Sequence, residues 1–174
     1  MAKVRILFPV LLFFIAVAAL AQTPQQPIRL ELPFIKTETK VEVIPLPDSS
    51  LMVYYKTGNI WETKASFHFT KYNHKLEQVW NSPADLAPKY NFLRHFIEMP
   101  YAYAVFEGDT PEKYVFTRTH VYTGNTMAKE FELKDVEAIH EFNVLEGNYY
   151  LIGQNRLNRK LLLIYLNSET GKHK

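Results

Sequence analysis

Apolar and polar side chains alternate with a period of two along much of the chain beyond residue 40, as they do in β-strands that bury one face. Phe67, Phe69 and Lys71 fall on one face of such a segment, and Val115 and Thr117 fall on one face of another. Clusters of Thr, Gly, Asn and Glu separate these segments, as hairpin connections require. The pattern predicts an all-β protein built from antiparallel sheets.

Three segments depart from simple alternation. Leu161–Leu166 is a continuous apolar run, which predicts a strand covered on both faces. Residues 132–142 show partly helical spacing of apolar residues. We interpret them as strand because their position in the chain corresponds to strands in the repeated order of strands and turns. Residues 83–88 carry two prolines and are expected to form one short helical turn.

One order of elements occurs three times after residue 40: an extended stretch, a turn, a strand rich in Tyr or Phe, a polar loop and a longer strand ending in a second turn. Gly58 and Gly108 mark one place in the first two copies and lie 50 residues apart, and Tyr72 and Tyr122 show the same spacing. Because two landmarks shift together, we interpret these copies as structural repeats. The predicted units are approximately residues 41–90, 91–138 and 139–174.

These units resemble the blades of a β-propeller, in which each repeat of roughly 40–50 residues forms a four-stranded antiparallel sheet around a central axis. The resemblance covers Val41–Lys174 and rests on the periodicity, the aromatic strands and turn tips such as Tyr165–Lys172. The chain has no Trp-Asp pair closing a blade, no kelch double glycine and no Asp-box. The resemblance implies about three propeller-like blades, an incomplete propeller, because closed rings typically have at least four.

Two explanations account for this number of units. The chain is either part of a longer propeller protein or a small exported β-sheet protein. In the second case its open sheet edge would pair with another copy or with a different partner chain. The turn predicted at residues 168–171 is not followed by a partner strand before Lys174, which agrees with both explanations.

The N-terminus has the three parts of a cleavable export signal. Lys3 and Arg5 precede the almost wholly apolar stretch Ile6–Leu20, and small residues lead up to a cleavage position after Ala21. The apolar stretch is shorter than the roughly 20 residues that span a bilayer, so no stable membrane span is expected after cleavage. We therefore expect a signal peptide at 1–21, a leader and first extended segment at 22–40, and a secreted or periplasmic mature protein, with a eukaryotic secretory route left open.

Charge and cysteine content exclude several classes of function. The chain has 20 Lys and Arg and 18 Asp and Glu side chains, and the signal segment contains two of the basic ones. The mature chain is therefore electrically balanced, and we expect no binding to nucleic acid. The absence of cysteine excludes a lipid-modified N-terminal Cys, disulfides and thiol catalysis.

No arrangement of titratable residues predicts a particular chemistry. Six histidines are scattered without the spacing of a metal site, so we expect no metal and no cofactor. Acidic residues are frequent between Asp109 and Glu137, and two of them at a suitable separation would serve glycoside hydrolysis. Nothing in their spacing indicates such a pair, and the catalytic residues, if any exist, are unknown.

Most of the aromatic residues are expected in the core. Trp61 and Tyr122 lie near predicted loops, and we predict that they offer a stacking surface for a sugar or a peptide. The preferred function is an exported, non-enzymatic interaction or ligand-binding module, with a protein or glycan partner and an exposed apolar patch or sheet edge. The alternative is the N-terminal part of an exported propeller hydrolase or lyase acting on glycans, with histidines and carboxylates gathered near a central channel.

Overall fold

The computed structural model describes residues 29–32, 41–57, 65–86, 90–108 and 110–172. The predicted signal segment and Trp61 lie outside these ranges. All of the described strands belong to one compact unit, Glu31–Lys174. Within the described ranges, no helix has the length and apolar character needed to cross a membrane.

The described secondary structure consists of strands joined mainly by tight turns. In chain order the strands are β1 Val41–Pro45, β2 Leu51–Thr57, β3 Ala65–Tyr72, β4 Gln78–Leu86, β5 Asn91–Glu98, β6 Tyr101–Glu107, β7 Lys113–His120, β8 Thr126–Glu132, β9 Val136–Leu145, β10 Asn148–Asn155 and β11 Leu161–Leu166.

These strands form three antiparallel sheets, each made of strands that are consecutive in the chain. The first sheet has the order β1-β2-β3-β4, the second β5-β6-β7-β8 and the third β9-β10-β11. Strands adjacent in sequence pair because short turns bring antiparallel neighbours together at once. The predicted all-β class with three repeated antiparallel units is confirmed.

Two local predictions have different outcomes. The prediction of a helical turn at residues 83–88 is wrong for its described part, because Pro83 and Ala84 belong to β4 and pair with His68 and Phe67. Proline is tolerated there because β4 is an edge strand whose open side needs no N–H donor. The interpretation of residues 132–142 as strand is confirmed from Val136 onward, where β9 begins.

The second sheet lies between the other two and buries both of its faces. In β6, Ala102, Ala104 and Phe106 pack against the first sheet, whereas Tyr103 and Val105 pack against the third. The alternation of side chains in a strand makes this possible, and it explains why five consecutive residues of β6 are buried.

Aromatic rings fill both layers between the sheets. Between the first and second sheets, the rings of Tyr54 and Phe106 lie 5.2 Å apart in an edge-to-face arrangement. Between the second and third, Phe116 stacks on Tyr149 at 4.7 Å. Such pairs add about 0.5–1.5 kcal/mol each beyond the burial of their area. The expectation that most aromatic residues form core is confirmed.

Polar bonds also connect neighbouring sheets. The Trp80 indole of β4 donates to the carbonyl of Val121 at 3.0 Å. On the other side of the second sheet, the Glu98 carboxylate accepts hydrogen bonds from the backbone N–H groups of Glu146 at 2.9 Å and Gly147 at 3.3 Å. These bonds fix how the hairpin ends of adjacent sheets sit against each other.

Candidate functional site

The candidate site is the outer face of the third sheet, on the side away from the second sheet. In β10 and β11 every second side chain points inward, and the core receives residues such as Leu151 and Ile164. The intervening side chains point outward. We call the apolar and aromatic members of this outward set the open face; they are Tyr150, Ile152, Leu161, Leu163 and Tyr165. The polar residues Asn148 and Gln154 of β10 border them, with Gln154 opposite Leu161.

The open face is apolar and exposed to solvent. Leu163 is 77% exposed, Leu161 is 69% exposed and Ile152 is 38% exposed. Leu157, in the turn between β10 and β11, is 82% exposed. Single exposed aliphatic residues are common on protein surfaces, but several adjoining ones mark interaction surfaces.

Strand register shows that these side chains adjoin one another. Ile152 is directly opposite Leu163, and Tyr150 is directly opposite Tyr165. The two tyrosine rings lie 5.5 Å apart. Directly opposed side chains on one face are close enough to touch, so the open face is one continuous patch.

The apolar character of this surface increases toward β11, the strand at the edge of the sheet. Across one row of the sheet the outward residues are Glu141 in β9, Ile152 in β10 and Leu163 in β11. In the next row the outward residues are Asn143 in β9, Tyr150 in β10 and Tyr165 in β11. In these two rows the polar side chain is therefore at β9 and the apolar or aromatic ones are at β10 and β11, whereas Leu145 at the end of β9 is apolar and 59% exposed.

The prediction that Leu161–Leu166 is covered on both faces is wrong for the described structure. Ile164 and Leu166 are buried, whereas Leu161 and Leu163 are largely exposed. A continuous apolar run normally indicates burial on both faces. Here it marks a strand in which one apolar face lies in the core and the other forms the surface.

The structure does not bring the predicted stacking residues together in a described site. Tyr122 lies in the turn after β7, is 58% exposed, and contacts the His120 ring edge-to-face at 5.8 Å. The Lys71 ammonium is 5.4 Å from the centre of the Tyr122 ring, a cation–π distance. Because Trp61 lies outside the described residues, its pairing with Tyr122 as a stacking surface stays a prediction.

Titratable side chains do not form a compact cluster in the described ranges. There, no group of three or more histidine or carboxylate side chains could hold a metal ion. Burial lowers the pKa of the His95 imidazole, and the Glu42 carboxylate partly opposes this.

Several acidic residues between Asp109 and Glu137 form surface ion pairs. Glu137 pairs with Arg159, and Glu112 lies 3.6 Å from Arg156. Both arginines are at least half exposed, so these pairs contribute little to stability. Exposed ion pairs thus account for Glu112 and Glu137.

The residues of the open face were not predicted as a site from the sequence. The signal in the sequence was the continuous apolar run Leu161–Leu166, and such a run predicts burial on both faces of a strand. It therefore pointed away from an exposed surface at Leu161 and Leu163.

Comparisons with known proteins leave the family unassigned. No family model matches the chain, and no curated protein matches it. Among solved structures, a mutant of the Synechocystis apocarotenoid oxygenase superposes on 78% of this chain with a TM-score of 0.48 and 6% sequence identity. The matched region spans 37% of that protein.

Proposed function

We propose that this protein is an exported, non-enzymatic interaction module that binds a protein partner through the open face. The observation that carries the proposal is the continuous apolar patch around Leu163, which is 77% exposed on the outer face of the third sheet. Burying one aliphatic side chain of this size contributes about 1.5–3 kcal/mol. A partner that covers the open face would gain most of this contribution at Leu161 and Leu163 and a smaller part at Ile152, which is only 38% exposed.

The composition of the surface favours a protein over a glycan as the partner. Protein interfaces have an apolar centre enriched in aromatic side chains and a polar rim. Here Tyr150 and Tyr165 lie beside aliphatic residues, and Glu141 and Asn143 form the polar side. A glycan would need a row of hydrogen-bonding groups among the rings, whereas the outward residues of β11 are Leu161, Leu163 and Tyr165.

The proposal of export rests on the sequence of residues 1–21. Mass spectrometry of the protein isolated from the cells that produce it tests this part independently. We expect the N-terminus at or near Gln22. Retention of residues 1–21 in the isolated protein would contradict export by signal cleavage.

We also propose that the three sheets are propeller-type blades. Each sheet is a meander in chain order, and the sheets pack face to face through apolar layers. In such a stack the open face is where a further apolar sheet would pack. This interpretation agrees with a partner that presents β-structure.

Site-specific photo-cross-linking tests the interaction proposal. A benzophenone amino acid replaces Leu163 in one variant and Met127 in another, in cells that export the protein. Met127 is a matched control because it is also apolar and 64% exposed, but it lies in β8 of the second sheet. We expect a discrete protein adduct from position 163 and none from position 127.

Absence of an adduct at position 163, or the same adducts at both positions, would contradict the proposal. Leu163→Lys supplies a further control, because a charge on the open face should suppress the adduct formed from a benzophenone at position 161. The exposed position of Leu163 makes this substitution compatible with folding.

A further inference from the structure

A cation and two phenol hydroxyls lie close together between the second and third sheets. In β7, Arg118 is directly opposite Tyr103 of β6, so both side chains lie on one face of the second sheet. Tyr103 belongs to the layer packed against the third sheet, where its ring lies 6.1 Å from that of Tyr149 in β10. Tyr149 points into this layer, so the three side chains lie on the side of the third sheet opposite to the open face.

The Arg118 guanidinium is held in place but is not neutralised. It lies 4.9 Å from the centre of the Tyr101 ring, a cation–π distance, and it donates to the Met127 thioether sulfur at 3.4 Å. A thioether is only a weak acceptor. Among the ion pairs of the described residues, none includes Arg118. Because a guanidinium has five N–H donors, most of those of Arg118 remain available.

The two tyrosine hydroxyls beside Arg118 also lack a protein partner. Tyr103 is 2% exposed and Tyr149 is 5% exposed, and a tyrosine as buried as these usually hydrogen-bonds its hydroxyl. In the described part of the chain, neither hydroxyl has such a bond. Thr70 is the described residue whose side-chain oxygen is both unbonded and closed off from solvent. The hydroxyls of Tyr103 and Tyr149 therefore reach the surface through the small exposed part of each side chain.

The charge of Arg118 acts on both hydroxyls. Burial raises the pKa of Tyr149 to about 12, Tyr103 adds to this rise, and Arg118 partly opposes it. Burial and then Glu98 raise the pKa of Tyr103, and Arg118 again opposes the change. Phenols with raised pKa values stay protonated at neutral pH, so both hydroxyls are available as donors beside the cation.

Glu98, an acidic residue at the same end of this face, does not neutralise Arg118. It is directly opposite Tyr101, and its carboxylate accepts hydrogen bonds from the backbone N–H groups of Glu146 and Gly147. The site therefore has one unpaired guanidinium near a carboxylate that is already bonded. This balance of charge favours a singly charged anion over a phosphate dianion, which Glu98 would repel more strongly.

We infer that Arg118, Tyr103 and Tyr149 bind the carboxylate group of a small ligand. The planar guanidinium fits the two carboxylate oxygens with two parallel hydrogen bonds, and the phenol hydroxyls donate to the same oxygens. A sugar acid and the C-terminus of a short peptide both present this group. The site lies on a different surface from the open face, and the inference does not rest on the proposed function.

A titration followed by NMR tests the site with the isotope-labelled protein. The probes are sodium D-glucuronate and an acetylated alanine dipeptide with a free carboxylate. Both are added at constant ionic strength, because salt screens charge attraction. The neutral counterparts are D-glucose and the same dipeptide as its amide. We expect a saturable shift of the Arg118 Nε–H signal with at least one acid and none with its neutral counterpart.

The two acids also identify the source of the carboxylate. A shift with glucuronate alone would assign the site to sugar acids, and a shift with the dipeptide alone would assign it to peptide C-termini. Similar shifts with both would show that the carboxylate itself is recognised, and each of these results supports the inference. No saturable shift with either acid, or equal shifts with the neutral counterparts, would overturn it.

Two arginine variants provide a matched comparison. Arg118→Gln should weaken binding at least about tenfold, measured from the backbone amides of β6 and β7, because charge-assisted hydrogen bonds are lost. Arg156→Gln removes the same charge from an exposed pair with Glu112 and should leave the affinity unchanged. Equal losses in the two variants would mean that the acids respond to overall charge, and the site would be refuted.

Two further variants remove only the hydroxyls. Tyr103→Phe and Tyr149→Phe keep both rings in the layer between the sheets, so the fold is preserved. Each should weaken binding of the acid by about threefold or more through the loss of one donor, while the Arg118 Nε–H signal stays in place. Unchanged affinity in both variants would contradict the assignment of the hydroxyls to the site.

Discussion

The second and third sheets have the same order of strands, yet they differ in how much of their surface is covered. The second sheet has four strands, buries both faces, and ends at an edge strand with Lys129 and Glu130. The third sheet has three described strands, buries one face, and ends at the uncharged strand β11. The apolar residues left uncovered on the third sheet are thus the counterparts of residues that form core in the second.

Apolar side chains on a strand stabilise the fold where a neighbouring sheet covers them, and they form a surface for binding where no described sheet does. Phe116 in β7 and Ile164 in β11 are both buried and stabilise the fold. Leu163 has a comparable apolar side chain but lacks a covering layer. Hydrophobic burial is non-directional, so the surface around Leu163 is available to any partner with a matching shape.

The largest expected effect concerns the layer between these two sheets. Phe116→Ala removes a ring that contacts Phe131, Phe142 and Tyr149 and should lower the free energy of unfolding by about 3–5 kcal/mol. Leu163→Ala should change it by less than about 0.5 kcal/mol. Urea denaturation of both variants measures the two values. A similar loss in both would mean that the open face is covered in the folded monomer.

A smaller effect is expected from the glycines of two hairpin turns. Gly124 has a φ of 77°, and an added Cβ would lie 2.9 Å from the Trp80 ring; Gly147 has a φ of 74° with nothing within 4 Å. Gly147→Ala should cost about 1 kcal/mol through its backbone conformation alone. Gly124→Ala should cost about 2 kcal/mol or more because the Trp80 ring must also move. Thermal unfolding compares the variants, and equal costs would show that Trp80 does not pack tightly on this turn.

The smallest effect is a pH dependence within the first sheet, where the turn between β1 and β2 contacts β3. A hydrogen bond from the buried Lys71 ammonium, at 2.7 Å, and one from the Ser50 hydroxyl hold the pKa of Asp48 below its usual value. Because the folded state binds the Asp48 proton less tightly than the unfolded chain, the stabilisation is full above about pH 4 and is lost as the pH falls through the lowered pKa.

Asp48→Asn should therefore lower stability by about 1 kcal/mol at neutral pH and have a smaller effect in acid. Denaturation at a series of pH values tests this expectation. A pH-independent difference between the variant and the parent protein would show that the carboxylate charge has no role.

The sequence predicted the architecture better than the site. Alternation at Phe67, Phe69 and Lys71 and the recurring turns were sufficient to predict strands and repeated units, because side-chain direction and turn position are local properties. The landmark pair was less accurate, since Tyr72 ends β3 whereas Tyr122 lies in the turn after β7. Leu163 could not be assigned to a surface in the same way. Whether a strand face is covered depends on elements that are distant in the chain. An apolar run has the same sequence pattern whether its second face is covered or exposed.

The most direct test of the account compares photo-cross-linking from position 163, on the open face, with photo-cross-linking from position 127 in β8, in cells that export the protein. The account predicts a discrete protein adduct from position 163, which is 77% exposed, and none from position 127, which is 64% exposed. No adduct from position 163, or the same adducts from both positions, would contradict the claim that the open face is the binding surface.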